Sequence, residues 1–192
     1  DNGWDQEPHA EHVALPGGGP KGKLSMHSLG FRTPLIFRWP ERIPAGRVSD
    51  ALVSSVDLVP TLLDYAGVPP VPDLPGRSLR GPLESGGEPE PVSLVGSARR
   101  TRLSAGREKL GDGRLANREA AFFVHTPEWR YIWYADRNLD ELYDLEADPD
   151  EDRNVAADHP VLVAMFRDRI ADWKREMGRP FAARRSDGAP AR

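Results

Sequence analysis

The chain has 192 residues, with 26 Lys and Arg, 30 Asp and Glu, and a formal net charge of -4 at pH 7. This acidic balance offers no basic field to attract a nucleic acid, so we expect no nucleic-acid partner. The absence of cysteine excludes a disulfide framework, a thiolate zinc site and a Cys nucleophile within these residues. No apolar run approaches the roughly 18–20 residues needed to span a bilayer, so we expect no membrane span.

The first predicted element is a short strand. Residues 35–37, Leu-Ile-Phe, run together between Pro34 and Pro40. A continuous apolar run with flanking prolines is typical of a buried strand in a parallel or mixed sheet.

A helix is predicted after Asp57. Asp57 is the expected N-cap, Pro60 is tolerated in the first turn, and Gly67 is the expected stop. The predicted apolar stripe consists of Leu58, Leu62, Leu63 and Ala66.

The second half predicts an antiparallel meander closed by a helix. Residues 91–98 predict a strand, residues 122–124 and 130–134 should pair across the Thr-Pro-Glu-Trp turn, and residues 141–145 should return. The helix before Gly178 should bury one apolar face, made of Val161, Leu162, Met165, Phe166, Ile170 and Trp173. Four tryptophans are expected in the core: Trp39, Trp129, Trp133 and Trp173.

These elements predict the last part of an α/β domain over residues 1–88 and a small α+β unit over residues 89–178. Residues 179–192 are basic and rich in Pro and Ala, and they are expected to form a disordered tail.

Candidate metal ligands stand at the start of the chain. Asp1 and Asn2 supply a carboxylate and an amide oxygen, the hard donors that calcium or magnesium accepts. Two donors fall short of the six to eight that calcium takes, and an isolated Asp-Asn-Gly is more often a surface turn. His9 and His12 form a second candidate pair for a metal, but Pro8 argues against the helix that would align them.

Two charged segments are candidates for other chemistry. Lys21, Lys23 and Arg32 lie in a Gly-rich loop before the predicted strand, where a cation could reach an anion bound at a sheet edge. Residues 143–156 concentrate acids but lack the ligand order of an EF-hand, so a solvated turn is the simpler interpretation.

Several segments in order carry a resemblance. These are "DNGW", "KGKLSMHSLGFRTPLIFRWP", "SSVDLVPTLLDYAGVP", "GRSL" and "ELYDLEADPDEDRNVA". Together they resemble the C-terminal half of a type I sulfatase of the alkaline phosphatase superfamily. The resemblance implies the C-terminal part of a sulfatase α/β core plus a small subdomain with an antiparallel sheet and a C-terminal helix. It also implies a sulfate ester as substrate.

The resemblance also implies roles for individual residues. Asp1 and Asn2 match two ligands of the catalytic Ca²⁺, and Lys23 matches a lysine that contacts the sulfate oxygens. Leu24, His27 and Ser28 depart from the family's usual Gly, Tyr and Glu. In the family, the nucleophile is a hydrated formylglycine whose oxygen attacks sulfur, and the alcohol then leaves.

The formylglycine motif, Cys/Ser-x-Pro-x-Arg, is absent from the chain. The expectation is therefore that the sequence is a C-terminal fragment, inactive alone, whose missing N-terminal part carries the nucleophile. Sulfate hydrolysis is favoured because Asn2 stands where many phosphatases would have His.

Two alternatives stay open at this point. One is a related phosphodiesterase or phosphonate hydrolase, which would share the metal-site logic. The other is a non-catalytic module that binds a glycan or a partner through the aromatic run at residues 128–136; burial of Trp129, Tyr131 and Trp133 would argue against it.

Overall fold

A computed structural model describes residue 21 and residues 25–99, 119–135 and 137–177. The chain divides into two compact units, one made from residues 1–34 and 94–171 and the other from residues 35–93 and 172–192. The boundary expected near residue 88 stays a prediction. None of the helices in the described ranges is long and apolar enough to cross a bilayer.

The first unit contains a four-stranded antiparallel sheet whose strands follow one another in chain order. The strands are β1 (Leu94–Arg99), β2 (Glu119–His125), β3 (Trp129–Tyr134) and β4 (Leu139–Asp144). The Thr126 amide donates to the Trp129 carbonyl at 2.9 Å, and the Thr126 hydroxyl accepts from the Trp129 amide at 2.9 Å. The predicted meander, including the turn between β2 and β3, is confirmed.

Each strand alternates its side chains between the two faces of the sheet. One face is covered by helix α4 (Pro160–Met177), whose Phe166 ring stacks on Tyr131 with centroids 5.6 Å apart. The buried side chains on this face are Phe122, Val124, Tyr131 and Leu142. The opposite face carries a second cluster, made of Met26, Ala121, Ile132 and Tyr143. The segment around residue 26 therefore packs on the face away from α4.

The predicted helix at the end of the chain is confirmed, but its buried face is narrower than the apolar stripe. Phe166 and Ile170 are buried, whereas Val161 and Met165 are 74% and 61% exposed. Helical periodicity identifies a side of the helix, but only the part of that side that faces the sheet loses contact with water.

The second unit contains the helix predicted after Asp57. A 3₁₀ turn (Ser55–Asp57) leads into α2 (Leu58–Tyr65), and a short α3 (Arg80–Ser85) follows. The Asp57 side chain does not cap α2. It accepts from the backbone amides of Ser54 and Arg77, at 2.9 Å each, so the N-cap prediction is wrong. Ser54 caps the 3₁₀ turn instead, in a capping box with Asp57.

The end of α2 matches the prediction at Gly67. Gly67 has a φ of 69°. The Val68 amide donates to the Leu63 carbonyl at 2.9 Å and the Gly67 amide to the Asp64 carbonyl at 3.0 Å, which is a Schellman stop. The predicted stripe is wrong in part, because Leu62 is 60% exposed and the buried residue of this helix is Thr61.

The strand predicted at residues 35–37 is not present in the structure. Residues 32–39 form no strand, and Ile36 is 84% exposed. An apolar run indicates a surface that could be buried, but it does not supply the neighbouring strand with which a ladder forms. Of the four tryptophans expected in the core, Trp39 is 44% exposed, and Trp129, Trp133 and Trp173 are half-buried.

Candidate functional site

The predicted site residues Asp1, Asn2 and Lys23 lie outside the described residues, as do His9 and His12. Their roles stay predictions. The structure does describe Lys21 and residues 25–28, which flank Lys23 on both sides. These flanks are the described part of the segment that contains Lys23.

Glu151 is the centre of the contacts on the second flank. The sequence predicted a solvated acidic turn here, and for Glu151 that prediction is wrong, since the residue is only 2% exposed. Its φ is 57°, a left-handed backbone conformation that residues other than Gly, Asn and Asp rarely adopt. The carboxylate of Glu151 is buried within the first unit.

Three donors meet this carboxylate, one from His27 and two from Ser28, the first residue of α1 (Ser28–Phe31). His27 Nδ1 lies 2.7 Å from Glu151 Oε2, and the Ser28 amide donates to Oε1 at 3.0 Å. The Ser28 hydroxyl also donates to Oε1 in a short hydrogen bond. Two of the three residues that depart from the sulfatase pattern, His27 and Ser28, thus bind Glu151.

The Glu151 carboxyl group is held in its charged form. Burial by itself would raise its pKa, but the hydrogen bonds from His27 and Ser28 outweigh burial, and its pKa lies below the usual range. A buried carboxylate keeps its charge only where donors replace the lost water. These donors therefore fix the ionised side chain in one place.

Lys21, which flanks Lys23 on the other side, is bonded to the turn that contains Glu151. Lys21 Nζ donates to the Asp150 carbonyl at 3.0 Å and forms a short ion pair with the Asp152 carboxylate. The Ser25 hydroxyl donates to the Lys21 carbonyl at 2.7 Å and accepts from the His27 amide at 3.3 Å. Both flanks of Lys23 are consequently bonded to residues 150–152.

Two further charged groups of the sheet contact the segment at residues 26–27. Arg130 is buried, its Nε donates to the Met26 carbonyl at 3.1 Å, and its guanidinium lies 4.4 Å from the centre of the Phe123 ring. Burial lowers the pKa of Arg130 to about 10, which leaves the group charged at neutral pH. Glu141 Oε2 lies 3.8 Å from His27 Nε2, so the imidazole stands between two carboxylates.

His125 projects from the same face of the sheet as Arg130, its partner in the neighbouring strand. Its Nδ1 is buried and has no hydrogen-bond partner among the described residues. Burial, together with the charge of Arg130, lowers its pKa to about 4. His125 is therefore neutral at physiological pH.

A surface pocket of about 270 Å³ lies beside the turn, with Asp144, Asp148 and His159 in its wall. The carboxylates in its wall already accept hydrogen bonds from backbone amides. Asp144 accepts from the amides of Glu146 and Ala147 at 3.1 Å each, and Asp148 accepts from the Asp152 amide at 3.0 Å. In the described parts of the chain, no group of three or more His, Cys, Asp or Glu residues is arranged to hold a metal ion.

A family comparison and comparisons with single proteins both find sulfatases similar to this chain. The family described as "N-sulphoglucosamine sulphohydrolase, C-terminal" matches residues 21–91. Arylsulfatase K from Rattus norvegicus is 34% identical over 142 residues, which is 73% of this chain and 24% of that protein. N-acetylglucosamine-6-O-sulfatase from Bacteroides thetaiotaomicron is 33% identical over 134 residues, which is 69% of this chain and 23% of that protein.

A solved structure shares the fold. It is that of a protein in complex with its substrate, D-glucosamine-2-N,6-O-disulfate. It is 26% identical, with a TM-score of 0.56 over 76% of this chain and 28% of the other. The expected alkaline phosphatase-like fold with its antiparallel subdomain is confirmed.

These matches identify a sulfatase C-terminal region. The chain belongs to the type I sulfatases, as the sequence resemblance predicted. It spans about a quarter of the length of the curated relatives it matches.

The aromatic run at residues 128–136 does not form an open platform. Tyr131 is fully buried under Phe166, and Trp133 stacks on Phe122 with centroids 5.4 Å apart. The Tyr131 hydroxyl group donates to Asp140 Oδ1 at 2.5 Å. Tyr131 packs between the sheet and α4, whereas Trp129 and Trp133 are half-buried, so one of the three side chains whose burial would argue against the binding-module alternative is buried.

Proposed function

We propose that the complete protein containing this chain hydrolyses sulfate esters and that Lys23 contacts the sulfate oxygens. One observation carries the proposal: the residues on both sides of Lys23 are hydrogen-bonded to the turn at residues 150–152. Two of the segments that carry the sulfatase resemblance are therefore hydrogen-bonded to each other. The names of the relatives support the same reaction class.

The substrate we propose is a sulfated amino sugar. Support comes from the N-acetylglucosamine-6-O-sulfatase of B. thetaiotaomicron and from the solved relative whose substrate is a disulfated glucosamine. The family description, which names N-sulphoglucosamine, agrees with this choice. An aryl sulfate is the second candidate, because arylsulfatase K proteins are equally similar.

We also propose a Ca²⁺ ion, with Asp1 and Asn2 among its ligands. A carboxylate and an amide oxygen are suitable donors for this hard cation, and the remaining ligands would come from the rest of the complete protein. When bound, the ion would withdraw negative charge from the substrate sulfate. The ammonium of Lys23 would add positive charge at the sulfate oxygens, where charge develops in the transition state.

The nucleophile is proposed to lie in an N-terminal part of the same protein. The chain has no cysteine and no Ser-x-Pro-x-Arg sequence from which formylglycine could be made. Reading the coding sequence before Asp1 tests this directly, since it should reveal a Cys- or Ser-x-Pro-x-Arg motif. A start codon immediately before Asp1 would contradict it.

The activity is tested with the protein encoded by the complete reading frame, produced together with an enzyme that installs formylglycine. Release of inorganic sulfate is followed by ion chromatography, with glucosamine N-sulfate, N-acetylglucosamine 6-sulfate and 4-nitrophenyl sulfate as substrates. We expect the fastest release from an amino-sugar sulfate and loss of activity with a calcium chelator. Faster hydrolysis of a phosphodiester or a phosphonate ester than of any sulfate would favour the related hydrolases instead.

A further inference from the structure

We propose that Glu151 is a positioning residue for the reaction: it fixes the segment that presents Lys23 to the sulfate. This inference rests on the proposed function of Lys23. Glu151 itself is expected to touch neither the substrate nor the metal.

The carboxylate of Glu151 has the reach and the burial that such a role needs. It is 2% exposed, and each of its oxygens accepts from the segment at residues 27–28, at 2.7 Å from His27 Nδ1 and 3.0 Å from the Ser28 amide. A buried, fully bonded carboxylate permits one arrangement of its donors, because any displacement leaves a charge without partners.

The neighbouring contacts extend this restraint across Lys23. Lys21 Nζ donates to the carbonyl of Asp150, the residue just before Glu151. Ser25 then links the two flanks through its hydrogen bond to the Lys21 carbonyl. Residues 21 and 25–28 are thus tied to one turn, and the chain between them is three residues long. A connection of three residues between fixed ends has a short reach, which is the basis for the proposed effect on Lys23.

The backbone of Glu151 indicates that this arrangement is maintained against a local cost. A non-glycine residue in the left-handed region is disfavoured and persists only where surrounding contacts determine it. For Glu151, with φ of 57°, those contacts are the donors from residues 27 and 28.

The first experiment is a double-mutant cycle in the complete protein, combining Glu151→Ala with Lys23→Ala. Displacement of a catalytic group by about 1 Å can cost about 10²-fold, so Glu151→Ala alone should lower kcat/KM at least about 10-fold. In the Lys23→Ala protein the same change should cost less than about twofold, because both substitutions remove the same contact. Glu151→Gln should recover part of the loss, since its amide oxygen can still accept from Ser28. The matched control is Glu146→Ala, an exposed glutamate five positions earlier in the same acidic segment, which should leave kcat/KM unchanged.

The second experiment measures hydrogen exchange, which does not depend on activity. Peptides that cover residues 25–31 should exchange faster in Glu151→Gln, while those that cover β3 should be unchanged. Glu151→Gln is used here because it keeps the side-chain volume, so faster exchange would not simply report unfolding.

The outcomes separate the inference from the proposed function. A non-additive cycle with local loss of protection supports positioning. Additive losses in the cycle, or unchanged exchange at residues 25–31, overturn positioning while sulfate hydrolysis stands. A wild-type protein that releases no sulfate overturns the proposed function, and Glu151 then has no role in this reaction even if the exchange result is as expected.

Discussion

His27 Nδ1 and Glu151 Oε2 lie 2.7 Å apart although 124 positions of sequence separate the two residues. The contact joins a segment next to the predicted sulfate-binding lysine to a turn near the end of the sheet domain. Burying either polar group without a hydrogen-bond partner would destabilise the fold, and here each group provides the partner of the other. The first unit is therefore organised around a polar contact as well as an apolar core.

Lys23→Ala should lower the turnover of a sulfate ester by the complete protein at least about 10²-fold, the scale of losing one oxyanion contact. Lys21→Ala is the matched control. Its ammonium already donates to Asp150 and pairs with Asp152, so a smaller loss is expected. Steady-state kinetics with one substrate decides between them, and an equal or larger loss in Lys21→Ala would move the predicted sulfate contact to Lys21.

Acidification should destabilise the first unit through His125. Its pKa is about 4 in the folded chain, against about 6.5 in an unfolded one, so the unfolded state takes up the proton first as pH falls. The stability due to the neutral imidazole is complete above pH 6.5 and is lost towards pH 4, on the order of 2–3 kcal/mol.

Urea unfolding at pH 7.5 and 4.5 measures this loss, and His125→Gln, which cannot titrate, should reduce it. His159→Gln, at an exposed position, is the control and should behave as wild type. An identical pH dependence in His125→Gln and wild type would show that the acid sensitivity has another source.

Gly76→Ala should severely destabilise the second unit. Gly76 has a φ of 89°, and a Cβ there would lie 2.3 Å from the Val56 carbonyl oxygen, so backbone would have to move. Gly46 has a similar φ of 73° but open space around the Cβ position. Gly46→Ala should lower the free energy of unfolding by about 1–2 kcal/mol, because Ala is disfavoured in the left-handed conformation but would meet no steric overlap there. Thermal unfolding of the two variants separates steric overlap from backbone strain, and equal effects would contradict the close approach.

Arg167→Met should loosen α4 from the sheet. Arg167 Nε and Nη2 donate to the two oxygens of Asp140 at 2.9 and 2.7 Å, and Tyr131 donates to the same carboxylate. Because the pair is partly exposed, the expected loss is about 1–2 kcal/mol. Arg169→Met, two positions away and exposed on the outer side of the helix, should change the unfolding free energy by less than about 0.5 kcal/mol.

Local patterns in the sequence were sufficient for much of this fold. The hairpin at Thr126, the stop at Gly67 and the long final helix each depend on neighbouring residues whose preferences act in the same direction. The absent strand at residues 35–37 shows the limit of such patterns. A strand requires a partner, and the partner's position does not follow from the run itself.

The contacts around Lys23 could not be predicted in the same way. Glu151 belongs to an acidic run in which each residue, taken singly, is expected to be solvated. Its burial depends on donors from the opposite end of the described chain. The one available signal was that His27 and Ser28 depart from the usual sulfatase residues, since both bind Glu151. A pairing over this distance needs a structure or many related sequences.

The chain-order meander has a consequence for how the protein folds. β2, β3 and β4 are joined by short turns, so their ladders close small loops, whereas the contact of Glu151 with residue 27 closes a loop of more than 100 residues. We expect the sheet to form first and to act as a template on which the segment before α1 docks late. Pulsed hydrogen exchange during refolding should therefore show protection in β3 before residues 27–31, and the reverse order would contradict this sequence of events.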